Sequence, residues 1–351
     1  MPDFQVCVTV VTFNSARYIR RSLEAVLAQE GVALGVVVVD NASSDGTRAI
    51  LGEFAGRIRV ILNERNRGFA EAQNQAIRAA SSEWVLALNP DALLPPIFLK
   101  NLVDAGATDS RVGSVCGKLL SIGPGFDPLP ERRIDSTGIY FTPALRHFDR
   151  GWHEPDDGRF DATEYVFGAS AAAALYRREM IDDISVSGEF FDPDFFAYRE
   201  DADVAWRAQL LGWRCLYTPA AVAYHVRSVV PGDRRAVPAA VNMHSVKNRF
   251  LMRIKNATPD LYRRFWAPMT ARDLLVLGGI LVAEPRSLAA LWRLATCLPR
   301  TVRSRRIIMS RRVATDQAMA NWFSFEPAAS ALRPAMPEPG LDADRVAVPT
   351  T

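Results

Sequence analysis

Cysteine is scarce in this chain and never paired. Cys7, Cys116, Cys215 and Cys297 stand far apart, and no CxxC occurs. That excludes a disulfide framework and a structural zinc site, and it fits a reducing compartment. Long apolar runs are lacking too. The longest, residues 274–283, is about half of the roughly 20 residues that span a bilayer. The chain opens Met1-Pro2-Asp3 and enters an apolar stretch with no basic segment before it, so no signal peptide is expected. A cytoplasmic protein is the expectation. A strong charge of one sign is also missing. The formal net charge is +3 over 351 residues, too little for the whole protein to hold a polyanion by charge alone. Acid is absent locally: residues 286–312 contain eight arginines and no Asp or Glu, a run that favours an anionic surface.

What is present is ordinary for a globular protein, 49% hydrophobic and 23% charged. The length allows one large core or two smaller ones. In the first hundred residues, strands are expected at 6–13, 35–40, 59–62 and 84–89, and helices at 16–29, 47–55 and 69–80. This alternation over short links predicts an α/β fold, a right-handed, mostly parallel sheet with helices on both faces. Polar residues gather where the strands end. Thr12-Phe13-Asn14 follows the first and Asp40-Asn41-Ala42-Ser43-Ser44-Asp45-Gly46-Thr47 the second; Asn66-Arg67-Gly68-Phe69 follows the third and Asn89-Pro90-Asp91 the fourth. The fourth run, Trp84-Val85-Leu86-Ala87-Leu88, suits a strand buried on both faces, and Pro90, with no N–H to donate, ends its ladder. Asn-Pro-Asp is a good turn sequence by itself. Four polar tips on one edge, where open α/β sheets bind their ligands, point instead to a site. No GxGxxG follows the first strand, which argues against a nicotinamide oxidoreductase.

These tips, with Ala70 and Asn74 after the third, resemble the nucleotide-sugar half of family 2 glycosyltransferases, which have the Rossmann-like GT-A fold. Asn-Pro-Asp in place of Asp-x-Asp resembles the rhamnosyltransferase-like branch. That replacement removes one carboxylate: Asn89 can hydrogen-bond a ribose but cannot supply an aspartate's charge. On this resemblance residues 1–94 form the nucleotide-sugar-binding half and 95–231 the acceptor-binding and catalytic half. Residues 232–323 follow as a basic helical extension and 324–351 as a disordered Pro/Ala-rich tail.

After residue 94 a helix is expected at 95–105, a strand at 112–120, a Gly/Pro-rich loop at 122–130 and a hairpin over the site at 134–148. A mobile polar stretch at 150–163 follows. His147 and His153 read as solvated loop histidines. Residues 165–176 read as one small-residue strand whose Gly168 permits close approach by a ligand, and 177–183 as a short helix. An aromatic loop at 190–198 precedes a helix with Glu200 and Asp201 in its first turn. The helix dipole alone favours acids there. Asp203 and Arg207 make an i,i+4 pair, which leaves Glu200 and Asp201 for chemistry. With Trp206-Arg207 and Leu211-Gly212-Trp213, the segment is similar to the same family's acidic motif. The resemblance implies Asp201 as catalytic base, Glu200 as its acidic neighbour, and His225, in Ala223-Tyr224-His225-Val226-Arg227, as a metal ligand. By itself a lone histidine reads as buried and structural. A strand at 213–217 and a turn at Pro219 precede it. Beyond Pro231, helices are expected at 237–255, 261–266, 274–283 and 288–298, broken at Pro268, Pro285 and Pro299. Trp266 and Trp292 beside leucine and arginine suit in-plane membrane binding; a helical cap or homodimer interface is the alternative.

The chemistry expected is glycosyl transfer from a nucleoside diphosphate sugar, by resemblance dTDP-L-rhamnose, to a glycan or lipid-linked saccharide at the inner membrane face. Asp91 and His225 would hold Mg2+ or Mn2+ against the leaving diphosphate, and Asp201 would take the acceptor proton. No covalent nucleophile is evident, so inversion follows. Asp40 would read a base N–H. Thr12, Phe13, Asn14, Asn41, Asn66, Gly68, Asn74 and Asn89 would line the donor pocket, and Arg207 would orient the acids or meet the diphosphate. A UDP- or GDP-hexose donor is the alternative within the fold. A non-catalytic sugar-nucleotide binder would not need Glu200 and Asp201. Nucleic acid is not an expected partner, since no reading motif accompanies the arginines.

Overall fold

The computed structural model describes residues 4–227, 239–283 and 285–324. The expected alternation is present as β1 (Phe4–Thr12), α1 (Ile19–Leu27), β2 (Leu34–Asp40), α2 (Thr47–Glu53), β3 (Arg59–Leu62), α3 (Phe69–Ala79) and β4 (Ser82–Leu88). β1 lies between β2 and β4 and is parallel to both, with β3 outside β2. Successive side chains of a strand point to opposite faces, and here both faces are covered. Val6, Val8 and Val10 pack with Ile19, Leu23 and Val26 of α1, while Cys7 and Val11 pack with Ala72 and Ala76 of α3. All four carboxyl ends therefore emerge on one edge.

The second half extends the same sheet. It contains β5 (Ala92–Leu93), α4 (Phe98–Gly106), β6 (Val112–Ser121), β7 (Ile134–Ser136), β8 (Ile139–Phe141), β9 (His147–Asp149), β10 (Glu164–Val166), β11 (Ala173–Arg177), α5 (Arg178–Ile184), α6 (Glu200–Leu210) and β12 (Arg214–His225). The order is β10-β12-β6-β11-β4-β1-β2-β3, with β5 beside β12 and β7 beside β6. β11 runs antiparallel between β4 and β6, and β6 and β12 are parallel. The expected hairpin is β8 paired with β9.

Three expectations are corrected here. Residues 165–176 form two strands, because the segment after β10 leaves the ladder to pass beneath α6 before re-entering as β11. Pro219 does not end a strand: β12 crosses it through an irregularity between Thr218 and Val222 and reaches His225, and bulges are where a strand tolerates proline. Pro268 and Pro299 lie inside helices rather than between them.

Those helices are α7 (Ala239–Asn256), α8 (Pro259–Ala283), α9 (Ala289–Ser310) and α10 (Asp316–Phe323). In α8 the clash of the Pro268 ring with the preceding turn is relieved by a kink at Phe265 (φ −115°, ψ 18°). Pro259–Val282 is thereby long and apolar enough to cross a membrane, by length and composition. The short apolar run missed this because only Arg272 and Asp273 carry charge between 265 and 282. The helices share a core with the sheet half: Leu251, Leu261, Ile308 and Phe323 pack on Phe141, Phe167 and Trp206. The boundary at Pro231 and the tail from residue 325 lie outside the described residues.

Candidate active site

The tips of β1, β2 and β3 are tied to one another. Thr12 donates to Asp40 Oδ1 at 3.1 Å, and Asp40 Oδ2 accepts from Ser43 N at 3.0 Å and Arg48 Nε at 2.8 Å. Asp40 is fully buried. Burial alone would raise its pKa, but these hydrogen bonds outweigh it and hold the carboxyl below its ordinary value. These bonds fix the carboxylate between the tips of β1 and β2, with Oδ1 accepting from Thr12 alone among the described residues. Asn14, at φ 52°, accepts from Ser44 N and donates its own N–H to Ser43 Oγ. Phe13 beside it is half exposed. Asn41 donates to Gly68 O at 3.0 Å, and Asn66 accepts from Gly68 N at 2.8 Å, so these two shape the loop. Gly68, at φ 84°, lies against Phe196: a Cβ there would come within 2.6 Å of its ring and carbonyl.

The β4 tip meets the end of β12. Ala92 of β5 pairs with His225, which brings His225 Nε2 to 3.2 Å from Asp91 Oδ1 and 3.3 Å from Asn89 Nδ2. On the other side of the ring, Nδ1 is 2.9 Å from Asp135 Oδ2. Asp135 also accepts from Arg227, which continues to Asp149. Burial disfavours a charged ring here, but hydrogen bonds to Asp135 and Asp91 push the His225 pKa up to about 10. Asp135 itself is held at about 2, since its bonds to His225 and Arg227 outweigh its burial. A histidine anchored through Nδ1 on a carboxylate, with Nε2 turned toward a second carboxylate, is the arrangement of an oriented metal ligand. The donor set fits one divalent cation that takes the place of the Nε2 proton between His225 and Asp91. Among the described residues no three His, Cys, Asp or Glu side chains cluster to hold a metal, so the remaining ligands would be oxygens of a bound molecule or water. Asp135 was not legible from the sequence; its one signal is an acid in the stretch expected to form a hairpin over the site.

The acidic helix stands beside this pair. Asn89 N donates to Ala172 O at 3.0 Å, and Ala171 N donates to Asp201 Oδ2 at 3.3 Å, so one short segment joins the β4 tip to Asp201. Asp201 Oδ1 accepts from Ala202 N at 2.7 Å. Burial raises the Asp201 pKa and the charge of Asp149 adds to it. Burial raises that of Glu200 further, with Asp201 as the next cause. Glu200 Oε2 is buried without a hydrogen-bond partner among the described residues. The turn into α6 is strained: Phe196, Tyr198 and Arg199 have φ of 64°, 72° and 72°, a conformation that costs non-glycine residues about 1–3 kcal/mol each.

What holds that turn is α7, which the sequence did not connect to the site. Asn248 Nδ2 donates to the carbonyls of Phe195, Ala197 and Tyr198 at 2.7–2.9 Å. Lys247 Nζ donates to Asp194 O. Lys255 bridges Asp192 at 2.6 Å and Asp203 at 2.8 Å. His244 stacks on Phe196 with ring centroids 4.7 Å apart.

Three expected donor-site residues serve the scaffold instead. Arg207 is buried: its three nitrogens donate to Asp203, Ile184 O and Phe190 O, so it does not reach the diphosphate. Asn74 clamps Phe191 through both backbone atoms. At Gly168 the close approach comes from α6, where a Cβ would lie 2.2 Å from Ala205 Cβ. His147 is not solvated either: its Nδ1 is 3.0 Å from Arg199, and burial lowers its pKa.

A Rossmann-like sheet with polar tips, a carboxylate–histidine pair and buried acids on one edge is the architecture of a GT-A glycosyltransferase. Residues 7–185 match glycosyl transferase family 2, and the chain belongs to that family. The chain is 40% identical over 105 residues to the succinoglycan biosynthesis protein ExoO of Rhizobium meliloti (strain 1021), covering 30% of each chain. It is 25% identical over 236 residues to the N-acetylglucosaminyl-diphospho-decaprenol L-rhamnosyltransferase of Mycobacterium tuberculosis (strain CDC 1551 / Oshkosh), covering 62% of this chain and 75% of that one. The chain therefore spans under a third of the first relative's length. In fold it is similar to TarS 1–349 of S. aureus, at TM-score 0.53 and 18% identity over 88% of this chain and 86% of that one. GalNAc-T7, solved with UDP, GalNAc and Mn2+, gives TM-score 0.59 and 14% identity over 82% and 55%.

Proposed function

We propose that the protein transfers a sugar from a nucleoside diphosphate sugar to a hydroxyl of a glycan or polyprenyl-linked saccharide, with inversion, in cell-surface polysaccharide synthesis. One observation carries this reading: the hydrogen-bonded segment 171–172 joins the Asp91–His225 tip to the Asp201–Glu200 pair. Asp91 and His225 would hold Mg2+ or Mn2+, which when bound supplies Lewis acidity toward the leaving diphosphate. Asp135 keeps His225 in one orientation, and Asn89 sits at the same tip.

Asp201 accepts the proton of the acceptor hydroxyl. The acceptor oxygen bonds to the anomeric carbon as the bond from that carbon to the diphosphate oxygen breaks, and the electron pair leaves with the nucleoside diphosphate. Glu200, whose pKa burial raises further, keeps its proton and so lets its neighbour carry the charge. Two neighbouring carboxyls pushed apart in pKa is how one becomes a base while the other stays neutral. Thr12, Asn14 and the Asn66–Gly68 loop line the donor side.

We take dTDP-L-rhamnose as the donor, on the Asn-Pro-Asp tip and on the M. tuberculosis relative's name. A lipid-linked acceptor places the protein at the inner membrane face. A screen of dTDP-, UDP- and GDP-sugars with Mg2+ or Mn2+, read by nucleotide release, tests the whole reading. Release from dTDP-rhamnose above the others is expected. Release from a UDP- or GDP-hexose alone would overturn the donor, and binding without release under every acceptor tried would overturn catalysis.

A further inference from the structure

The C-terminal helices carry an apolar stripe that no described residue covers. α8 turns Leu261, Met269, Val276 and Ile280 inward against neighbouring helices. The opposite stripe runs Ala267, Ala271, Leu274, Gly278 and Leu281, spaced four, three, four and three apart as one helix face requires. It covers about 21 Å of helix. Trp266, Leu274, Leu275, Leu281, Val282 and, at the start of α9, Trp292 are 64% to 87% exposed. Large contiguous apolar surfaces of this kind are rare on soluble monomers and mark contact with a membrane or a protein.

Charge decides between those partners. The outward stripe of α9 starts at Trp292 and continues through Thr296 and Pro299 to Arg303 and Arg306, all exposed. Residues 286–312 contain no Asp or Glu. A second copy pairing through this segment would bring arginine toward arginine with no acid to answer it. An anionic lipid surface answers both features, taking the apolar stripe at headgroup depth and the guanidinium groups at the phosphates. Crossing the bilayer is the wrong geometry for α8. Its inner row is packed, and Asp273, immediately before the leucine-rich turns, is bonded to Arg249 and Arg253 of α7.

We infer that the outer face of α8 and α9 lies in the plane of an anionic bilayer, docking the enzyme there without a membrane span. This deepens the lipid-linked acceptor reading without depending on it, since docking requires no turnover. The test uses the full chain with phosphatidylcholine vesicles, with and without phosphatidylglycerol, read by cosedimentation.

The wild type is expected to pellet with the phosphatidylglycerol vesicles and to be released by salt. Leu274→Asp with Leu281→Asp, and separately Arg303→Glu with Arg306→Glu, should each weaken binding about tenfold or more. An unchanged Tm and unchanged sugar-nucleotide hydrolysis without vesicles would show that fold and site are intact. Three results would overturn the inference. One is no phosphatidylglycerol-dependent pelleting; another is pelleting untouched by the leucine variant. The third is a wild-type dimer that the leucine variant turns into a monomer. Loss of hydrolysis in the wild type itself would count against the transfer reading alone.

Discussion

The donor side and the acid side of the edge are built in opposite ways. On the donor side the polar tips fasten one another across short stretches of chain: Thr12–Asp40 and Asn41–Gly68 are 28 and 27 residues apart, Ser15–Thr47 is 32. On the acid side the bonds reach much further. Asn248 holds Phe195 across 53 residues, Lys255 holds Asp192 across 63, and His225 holds Asp135 across 90. The donor side is held within the parallel sheet, whereas the turn that carries the acids is held from the later helix α7. The C-terminal helices are therefore part of the site's construction, beyond any role as a membrane contact.

The largest expected effect tests whether the two sides separate in function. Asp201→Asn removes the base and should lower kcat by roughly 10²–10⁴, while donor affinity, measured by calorimetry, stays at the wild-type value. A parallel loss of donor affinity would break the comparison, because the acid side would then be shaping the donor pocket. Next is the support for the acid side. Lys255 is almost fully buried between Asp192 and Asp203, so Lys255→Met leaves Asp192 without its ion-pair partner and Asp203 with Arg207 alone. Removing one partner of such a cluster costs on the order of 3–5 kcal/mol, read as a fall in the denaturation midpoint. A change within a few tenths of a kcal/mol would mean α7 only leans on the acid side.

This division also explains what could be read from the chain alone. β1–β4, their tips and the family resemblance were legible because periodicity and turn chemistry are local signals. Asp91 was marked by its place at a strand tip and Asp201 as an unpaired acid in a helix's first turn, whereas His225 was marked only as a motif position. Asp135, Asn248 and Lys255 were not legible, because each acts through a partner 50 or more residues away and none sits in a motif. The misplaced residues share another cause. Arg207 and Asn74 belong to the motifs and Gly168 was read from its missing side chain, yet the bonds and packing of all three serve the scaffold. Resemblance marks a position without saying whether it faces the ligand or the core.

A smaller effect is expected where the two sides meet. Asp135→Asn keeps the shape of the side chain but removes the charge behind His225 and turns one of the two acceptor oxygens into a donor. Loss of such an outer partner typically weakens metal affinity 10–100-fold, measurable by Mn2+ titration with the donor nucleotide present. If Mn2+ binding is unchanged, His225 is a structural histidine and the cation has another seat.

The smallest effect is a displacement in pH, and its sign separates chemistry from folding. Asp201 must be ionised to take a proton, and burial with the charge of Asp149 raises its pKa. Activity should therefore be full above that raised value and fall as pH drops through it, well above the ordinary aspartate value of about 3.9. Stability runs the other way for the same pair. The folded state holds protons on Glu200 and Asp201 that the unfolded chain has released, so their contribution is fully present below the unfolded values and is lost as pH rises through the folded ones. Asp135, held at about 2, contributes stability above the unfolded aspartate value that disappears only in stronger acid. Between the acidic limb of kcat/KM and the ordinary carboxylate range, turnover should thus decline while Tm holds or rises. If Tm falls in step with turnover across that window, the limb reports acid unfolding and the base assignment of Asp201 loses its support.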